Sequence, residues 1–489
     1  MKLAVFLKAL RLQNRKLDEN LITLSYQFAD QVHLGQIRYD GQAYLTHPLE
    51  VALILSSWGV DQDTIIAGIL HDTLDHGQAD LQVLKSKFNP QIVKLVEGVT
   101  RVGQVQLRGS RSQYFVENLR KMFISMAKDI RVVLIRLADR LHNMRTLDAV
   151  PISKQRRIAL ETINIYAPLA ERLGMGLLKG ELEDLSFPYA YPKTYLRVSR
   201  LTKQIMSKVD RVYDELLKSI SSILKEHHLE AKVEIRKKRL FSLFHKLKRP
   251  EIKGNLSRIH DLVAARIITT NLTDCYAVLG LVHQHWQPVP GSSISDFIQM
   301  PKPNGYQSLH TKVIGPSNFT FEIQIRDEKM HHQAEYGAAS HALYSQAKQS
   351  GATDEQLEKG ISSQSKQKMK WIEELAKWQS QVADDATFLD HLKLDALSKR
   401  IYVFSPKGDV YDLPENATPV DFAFAVHSEL PFFLSQVLVN GKLAPLSHLL
   451  KSRDVVEVIK SKQKRALNRD WLKFTKTAKA RLHLKALMN

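Results

Sequence analysis

The chain of 489 residues contains a single cysteine, Cys275. One thiol excludes an intramolecular disulfide and any zinc site that needs several thiolates. The sequence also lacks any stretch of about 20 consecutive apolar residues, the length that a membrane-spanning helix requires. The apolar run near the start, from Met1 to Lys8, is too short for the hydrophobic part of a secretion signal. We therefore expect a protein of the reducing cytoplasm, without a membrane partner.

Acidic residues are also scarce relative to basic ones. The 70 Lys and Arg outnumber the 51 Asp and Glu, which gives a formal net charge of +19 with 19 His counted as neutral. A surplus of this size predicts polyanionic partners, namely nucleotides, RNA or both. The alternative, a basic protein whose charge serves only solubility, stays open at this point. Apolar residues at 44% and charged residues at 25% exclude wholesale disorder, and the length predicts about three or four domains.

The residue pattern divides most of the chain into a helical part and an α/β part. Up to about residue 185, apolar residues recur at helical spacing, as in Leu49–Leu55 and Phe115–Leu147. From about residue 232, short β-branched runs such as Leu262–Ile268 and Phe319–Ile325 alternate with helical stretches. This alternation predicts an α/β domain that ends near residue 345.

A linker and a small β unit follow. Residues 346–370 are rich in Gln, Ser and Lys, which is typical of a linker or an exposed helix. From Tyr402 to Ile459 short strands return, with hairpin signals at Lys407–Asp409 and at Asn440-Gly441. This segment predicts a small mixed β unit.

The end of the chain is strongly basic. From residue 461 onward it contains nine Lys and Arg but one acidic residue, Asp470. We predict a basic helix around Trp471, Leu472 and Phe474, which is either a solvated end of the chain or a surface that faces RNA.

Four residues of the helical part form a candidate metal site: His47, His71, Asp72 and Asp139. Each of them alone is more often a helix cap or a polar core residue, but two imidazoles and two carboxylates together can fill part of the shell of a divalent metal. The mixed nitrogen and oxygen set suits Mn²⁺, Fe²⁺ or Zn²⁺, and ligand type alone does not choose among them. Asn143 lies four residues after Asp139, so both side chains share one helix face.

Three segments of the α/β part form a candidate nucleotide site. Arg236–Arg239 and the following Phe241–Lys246 concentrate positive charge where a polyphosphate can lie. In Pro301–His310, Asn304-Gly305 predicts a tight turn and Tyr306 offers a ring for a purine. Taken separately, these segments are also compatible with a solvated surface and an ordinary hairpin loop.

The third segment is the strand Phe321–Arg326. With a period of two, Glu322, Gln324 and Arg326 share one face, which we predict to be the exposed floor of an active site. Asp261, at the start of the preceding strand, is a candidate second carboxylate beside Glu322, and together they suit Mg²⁺ bound to ATP. A Gly-rich lysine loop of the Walker type is absent from the sequence, which argues against a P-loop enzyme.

Taken in order, these segments resemble the long RelA/SpoT homologues, the bacterial alarmone enzymes, from about residue 20 to the end of the chain. The motifs that carry the resemblance are His47-Pro48-Leu49, Leu70-His71-Asp72, Leu137–Leu147, Ile165–Ala170, Glu181–Leu185, Asn304–His310, Glu322–Arg326, Tyr402–Gly408 and Asp421–His427. So many matches in a single order leave chance as a poor explanation.

The resemblance implies a multidomain protein with an all-α HD hydrolase domain, an α/β synthetase domain of nucleotidyltransferase-like fold and a small β-grasp TGS domain. The boundaries we predict are 1–190 for the HD domain, 191–230 for connecting helices, 231–345 for the synthetase domain, 346–395 for a helical linker, 396–461 for the TGS domain and 462–489 for a basic helical tail.

The resemblance also implies the two reactions and their cofactors. In this family the synthetase transfers pyrophosphate from ATP to the 3′-hydroxyl of GTP or GDP, which gives (p)ppGpp and AMP, and it uses Mg²⁺. The hydrolase removes the 3′-diphosphate with Mn²⁺. The implied Mn²⁺ ligands are His47, His71, Asp72 and Asp139, with Arg38 and Asn143 as nucleotide-binding residues.

For the synthetase, the resemblance implies that Asp261 and Glu322 bind Mg²⁺ and that Glu322 is also the candidate base. The residues expected to bind the ATP phosphates are Arg236, Lys238, Ser242 and Lys246. Tyr306 is expected to stack on the acceptor guanine. The remaining nucleotide-binding candidates are Arg266, Lys302, Asn304, Gln307, His310, Gln324 and Arg326. His427 corresponds to the TGS histidine that meets the 3′ end of uncharged tRNA on the ribosome.

Three departures from the family pattern bear on these expectations. Asp75-His76 stands where hydrolase-active relatives have Glu-Asp, so the candidate catalytic carboxylate Asp75 is one methylene shorter and its neighbour is an imidazole. Ser292–Ser295 replaces a charged segment before Asp296. The chain also ends soon after Trp471, where longer relatives continue into helical, zinc-finger and ACT regions.

Three hypotheses about function follow. The leading one is a (p)ppGpp synthetase with an HD domain that also hydrolyses (p)ppGpp. The second is a hydrolase-dominant protein with weak synthesis. The third is a non-enzymatic sensor that binds tRNA or the ribosome through the TGS unit and the basic tail.

Overall fold

The computed structural model of the chain describes residues 1–13, 17–74, 79–103, 111–248, 252, 263–302, 305–315, 319–337, 339, 398, 400–452 and 454–486. The chain divides into two units: residues 1–104 with 128–368, and residues 105–127 with 369–489. The linker predicted at 346–395 lies outside the described residues. Among the residues that are described, no helix is both long enough and apolar enough to cross a membrane.

The helical part of the first unit follows the predicted pattern. In chain order the α-helices up to residue 226 are α1 (Leu3–Gln13), α2 (Glu19–Val32), α3 (Thr46–Ser57), α4 (Gln62–Leu70), α5 (Leu81–Lys87), α6 (Pro90–Gly103), α7 (Arg111–Lys128), α8 (Arg131–Arg145), α9 (Ile152–Glu161), α10 (Ala167–Arg172), α11 (Gly176–Ala190) and α12 (Pro192–Glu226). Helix α7 falls in the second unit up to residue 127. Residues 192–226, predicted as part of several connecting helices, form one helix of 35 residues.

Local sequence explains where the helices of the metal site begin and how closely they pack. The Asp61 side chain accepts a hydrogen bond from the backbone N–H of Thr64 and so caps α4. Helices α3 and α4 approach closely at Gly68, where a Cβ would lie only 2.5 Å from the Cδ1 atom of Leu55. Because α3 begins next to His47 and α4 ends next to His71, this packing brings the two imidazoles to one end of the helix pair.

The α/β part contains a six-stranded sheet in the order β1-β2-β6-β5-β3, with β4 paired to β5. Its elements are β1 (Ala231–Lys237), α13 (Leu240–Leu247), β2 (Val263–Thr269), α14 (Leu272–His285), β3 (Gln287–Pro288), β4 (Ser295–Asp296), β5 (Leu309–Ile314), β6 (Thr320–Asp327) and α15 (Glu328–Tyr336). Strands β2 and β6 are parallel, whereas β1 and β5 run antiparallel to their neighbours. One face of the sheet packs into a core with α12 and α14 through residues such as Ile267, Ile323 and Val278.

The second unit contains the small β domain. Its elements from residue 400 onward are β7 (Arg400–Phe404), β8 (Val410–Pro414), α16 (Pro419–Val426), β9 (Leu434–Val439), β10 (Lys442–Ala444), β11 (Val456–Lys460) and α17 (Ala478–Ala486). Both predicted hairpins are confirmed, because β7 pairs with β8 and β9 with β10 in antiparallel fashion. Asn440 and Gly441 have φ angles of 54° and 76°, as expected for the two central residues of a type I′ turn.

The prediction of one basic helix around Trp471 is wrong. Residues Arg469–Lys473 form a single 3₁₀ turn, and α17 follows as a separate helix. Ala480 and Leu484 of α17 are buried in the hydrophobic core of the β domain, and Trp471 packs against that core. The basic composition of the tail drew attention away from these two apolar residues, which lie four positions apart on one helix face and pack against the β domain.

Two candidate active sites

The predicted metal-binding residues lie together where the start of α3 and the end of α4 meet the middle of α8. His47 and His71 are buried, and their ligand atoms and that of Asp139 all lie within 4.8 Å of one another. His47 Nε2 lies 3.3 Å from Asp139 Oδ1 and 3.7 Å from Asp72 Oδ2. His71 Nε2 lies 3.2 Å from Asp72 Oδ1. The structure therefore brings all four residues of the predicted set together.

The donor atoms of this cluster fit a divalent metal. His71 Nδ1 lies 2.8 Å from the carbonyl oxygen of Gly68 and must donate to it, so the lone pair of the neutral ring is on Nε2. Within the described residues, that buried Nε2 atom has no hydrogen-bond partner. A buried lone pair directed towards two carboxylates is unfavourable unless a cation lies between them. Burial opposes ionisation of Asp139, but the hydrogen bond and charge of His47, together with His71 and Arg136, lower the pKa of this carboxyl.

Two side chains that the sequence analysis did not single out hold the ligands in place. The Tyr44 hydroxyl donates to Asp72 Oδ2 over 2.9 Å, and burial is the main cause of its raised pKa. His142 Nδ1 lies 2.8 Å from His47 Nδ1, and burial lowers the pKa of His142 to about 3. His142 belongs to the motif around Asp139, but its spacing alone does not reveal its contact with His47.

The predicted nucleotide-binding residues of the helical part border the metal cluster. Arg38 Nη2 donates to Asn143 Oδ1 over 3.3 Å and to the hydroxyl of Thr146 over 3.2 Å. Asn143 in turn donates to Asp139 Oδ1, so Arg38 connects through Asn143 to a candidate metal ligand. The candidate catalytic residue Asp75 and its neighbour His76 lie outside the described residues.

The second site lies on the sheet face opposite the core of the α/β part. Strand pairing places Glu234, Arg266, Gln324 and His310 side by side across β1, β2, β6 and β5. The neighbouring row contains Arg236 and Glu322, which flank Ala264. Paired residues of adjacent strands point to the same face. Four strands thus collect cations, an amide, an imidazole and two carboxylates on one surface.

A chain of hydrogen bonds leads to Glu322. Its Oε1 atom lies 3.0 Å from His310 Nδ1, and His310 Nε2 lies 2.8 Å from the Tyr306 hydroxyl. Burial lowers the pKa of His310, which favours its neutral form. A neutral His310 must donate from Nδ1 to the carboxylate and accept the Tyr306 proton at Nε2. His310, predicted only as a nucleotide-binding residue, therefore orients Glu322.

The loop that contains Tyr306 is held by its own side chains. Lys302 Nζ lies 4.7 Å from the centre of the Tyr306 ring and 4.5 Å from that of Phe297. Gln307 Nε2 donates to the carbonyl oxygen of Ile298 over 3.2 Å. Lys302 thus approaches the ring that was predicted to stack on guanine. Asn304 and Asp261 lie outside the described residues.

The basic segment before α13 is tied to helix α11. Arg239 Nη1 donates to Asp184 Oδ2 over 3.2 Å, and the backbone N–H of Phe241 donates to Asp184 Oδ1 over 3.3 Å. Asp184 therefore caps α13, the helix that contains Ser242 and Lys246. Lys238 is half-buried just before this helix, and Arg236 lies at the end of β1. Burial, followed by the nearby Arg266, lowers the pKa of Arg236.

One prediction about the strand face is wrong. Glu322 and Gln324 are partly accessible as expected, but Arg326 is only 1% exposed. Helix α15 follows β6 directly, and Glu335 of this helix accepts a hydrogen bond from Arg326 Nη2 over 2.9 Å. An alternation of period two correctly assigned Arg326 to this face but could not show that a later helix covers it.

His427 lies in the second unit, immediately after α16. The residue is exposed, and its Nδ1 atom accepts a hydrogen bond from the backbone N–H of Glu429 over 3.2 Å. Because Nδ1 accepts, the ring proton of neutral His427 is on Nε2.

Comparisons with known proteins agree with this arrangement. Residues 25–176 match the HD domain, residues 235–349 match the region found in RelA/SpoT proteins and residues 401–460 match the TGS domain. A GTP pyrophosphokinase of Myxococcus xanthus is 42% identical over 473 residues, which cover 96% of this chain and 60% of that protein. The bifunctional (p)ppGpp synthase/hydrolase RelA of Mycobacterium tuberculosis is 41% identical over 473 residues, or 96% and 62% of the two chains.

A third relative is named after the opposite reaction. The guanosine-3′,5′-bis(diphosphate) 3′-pyrophosphohydrolase of Aquifex aeolicus is 38% identical over 468 residues, which cover 96% of this chain and 64% of that protein. The chain thus spans less than two thirds of the length of these relatives. Among solved structures, small alarmone synthetase 2 of Bacillus subtilis is 26% identical with a TM-score of 0.24, covering 38% of this chain and 95% of that one. The three domains in this order, with identity to these relatives along nearly the whole chain, show that the chain belongs to the RelA/SpoT family.

Proposed function

We propose that the chain is a (p)ppGpp synthetase that transfers pyrophosphate from ATP to the 3′-hydroxyl of GTP or GDP. The observation that carries this proposal is the hydrogen-bonded series Tyr306–His310–Glu322, which lies on the same sheet face as Arg236 and Arg266. Such a surface offers an acceptor for the hydroxyl proton beside cations for a polyphosphate. A Gly-rich lysine loop is not required for this arrangement.

In the proposed reaction the 3′-oxygen attacks the β-phosphorus of ATP. The bond from this phosphorus to the oxygen that bridges it to the α-phosphorus breaks, and AMP leaves with that oxygen. Glu322 is the proposed acceptor of the hydroxyl proton; its contact with His310, and that of His310 with Tyr306, support this role because they orient the carboxylate. Mg²⁺ held by Glu322 and Asp261 would neutralise charge on the phosphate oxygens. Arg236, Lys238, Ser242 and Lys246 are the proposed phosphate-binding residues.

We propose hydrolysis of (p)ppGpp as a second activity, in the helical part. It is supported by the cluster of His47, His71, Asp72 and Asp139, with Arg38 and Asn143 at its border. Mn²⁺ held by this cluster would polarise a phosphate oxygen and lower the pKa of bound water. Arg38 is the proposed nucleotide-binding residue, and Asp75 is the proposed residue for orienting the water.

Uncharged tRNA on the ribosome is the proposed partner of the second unit. The exposed His427, with its Nε2 proton available for donation, supports this role. Basic residues of the segment after β11 remain exposed although α17 packs on the β domain, so they can contact RNA phosphates.

Two parallel reactions test the proposed activities. The full chain is incubated with ATP, GTP and Mg²⁺, and separately with ppGpp and Mn²⁺, with and without uncharged tRNA and ribosomes. We expect Glu322→Gln to abolish only synthesis and His71→Ala to abolish only hydrolysis, so each variant is the control for the other. Wild-type protein that forms neither AMP nor pppGpp would refute the synthetase proposal, and wild-type protein that leaves ppGpp intact would refute the hydrolase proposal.

A further inference from the structure

A group of buried charges connects helix α15 to the synthetase face of the sheet. Arg266, Arg326 and Glu335 are 5%, 1% and 8% exposed. A single carboxylate oxygen, Oε1 of Glu335, lies 2.9 Å from Arg326 Nη2 and 3.0 Å from Arg266 Nη1. Glu335 therefore holds two guanidinium groups that extend from neighbouring parallel strands.

The other contacts of the two arginines fix their orientation further. Arg326 Nη2 lies 2.8 Å from His331 Nδ1, and Arg266 Nη1 donates to Glu234 Oε2 over 3.2 Å. Burial lowers the pKa of His331 to about 4, so its neutral ring can accept from Arg326. Within the described residues, the buried Nε atoms of both arginines have no hydrogen-bond partner. Because these Nε atoms are buried, neither of them reaches the surface of the sheet face.

Helix α15 has a firm support in the helical part of the same unit. The carbonyl oxygen of Ala334 would lie 3.4 Å from a Cβ added at Gly176, where α11 begins. Gly337, just beyond α15, has a φ angle of +47°, and a Cβ there would lie 2.2 Å from the carbonyl oxygen of Leu173. Because backbone meets backbone on both sides of Glu335, the position of its carboxylate is well determined.

We propose that Glu335 is a positioning residue of the synthetase: by holding the buried Arg266 and Arg326, it fixes the sheet face on which Arg236 and Gln324 meet the nucleotide. This inference rests on the proposed synthetase function. Arg266 is paired in register with Gln324 and so belongs to the row that contains His310, and Arg326 lies two residues further along β6. Because Arg266 lies directly beside Gln324 and diagonally from Arg236, holding it in place leaves these neighbours less freedom to lose when a nucleotide binds. Glu335 does not touch the substrate in this arrangement.

The test compares Glu335→Gln and Glu335→Ala with wild type and with Glu328→Gln, a control in an exposed position on the same helix. Binding of α,β-methylene-ATP with Mg²⁺ is measured by calorimetry, because this analogue cannot undergo cleavage between its α- and β-phosphorus atoms. Steady-state synthesis, ppGpp hydrolysis and thermal unfolding are measured on the same preparations. The Gln variant keeps an acceptor oxygen but loses the charge, whereas the Ala variant loses both.

We expect analogue affinity to fall about tenfold in Glu335→Gln and further in Glu335→Ala, with the KM for ATP rising in parallel. The kcat of Glu335→Gln, its hydrolysis and its melting temperature should stay near wild type, as should every property of Glu328→Gln. Unchanged analogue affinity in Glu335→Gln would overturn the inference while leaving the synthetase function intact. Affinity that falls only together with melting temperature and hydrolysis would show a purely structural role. Wild-type protein that neither binds the analogue nor forms AMP would overturn both proposals.

Discussion

Replacement of His142 should weaken metal binding without removing any candidate ligand. The Nδ1 atoms of His47 and His142 are 2.8 Å apart, so one of them must donate to the other. If His47 Nε2 offers its lone pair to the metal, its proton is on Nδ1, and His142 Nδ1 must accept. His142 thereby fixes both the tautomer and the ring orientation of His47.

The size of the loss in metal affinity depends on whether the substitution keeps a hydrogen-bond acceptor near the position of His142 Nδ1. His142→Ala leaves the buried Nδ1–H of His47 without its acceptor, and loss of such a partner typically costs about 10- to 100-fold in metal affinity. That range corresponds to about 1.4–2.8 kcal/mol. His142→Asn places a carbonyl oxygen near the lost Nδ1 and should recover most of this loss. The amide of His142→Gln reaches instead towards the position of Nε2 and should not.

The assay is titration of the full chain with Mn²⁺, followed by electron paramagnetic resonance of the free ion. This readout does not depend on turnover, and AMP formation serves as the control for the other site. The expected order of affinity is wild type, then Asn, with Gln and Ala clearly weaker. If Ala binds as tightly as wild type, or if Asn is as weak as Ala, hydrogen bonding to His47 is not what His142 contributes.

Two further predictions concern helix α11. Asp184→Ala should raise the KM for ATP several-fold, because α13 loses its cap at the Phe241 N–H and such a cap is worth about 1 kcal/mol. Asp184→Asn should stay close to wild type, because its amide oxygen can still accept this hydrogen bond. Equal kinetics of the two variants in steady-state assays would contradict this prediction. Burial is the main cause that raises the pKa of Glu183 to about 7, above its usual 4.5. Because the folded state binds this proton more tightly, Glu183 lowers the free energy of unfolding as pH rises from about 4.5 to 7. In denaturant unfolding, Glu183→Gln should therefore stabilise the protein by about 1–3 kcal/mol at pH 8 but not at pH 4. A stabilisation that is independent of pH would refute this assignment.

The sequence was most informative where function depends on residues close together in the chain. His71 and Asp72 are adjacent, and Asp139 and Asn143 share one turn of a helix, so their spacing already indicated a common site. The contacts of Arg326 could not be anticipated in this way. Period-two alternation assigns a strand residue to a face, but what covers that face depends on where α15 folds back, and this is decided by packing on residues far away in sequence.

The basic tail is a second case in which local sequence did not predict a tertiary contact. Charge dominated its composition, yet the buried carboxylate of Asp421 accepts hydrogen bonds from the backbone N–H groups of Lys476 and Thr477. The same side chain accepts from the N–H of Thr418 and thereby caps α16, the helix that precedes His427. A buried carboxylate satisfied from two distant segments is a tertiary feature that local composition does not encode.

Helix α11 lies between the two candidate sites of the first unit. Its Glu181 accepts from Arg145 of α8 over 2.7 Å, and α8 also carries Asp139 and Asn143. Asp184, one turn later, caps the helix that carries Ser242 and Lys246, while the start of α11 supports the helix that carries Glu335. Helix α11 therefore contacts elements that carry residues of both candidate sites. Glu181 and Asp184 are only three residues apart on this helix, so the same short segment of α11 packs against both parts of the first unit.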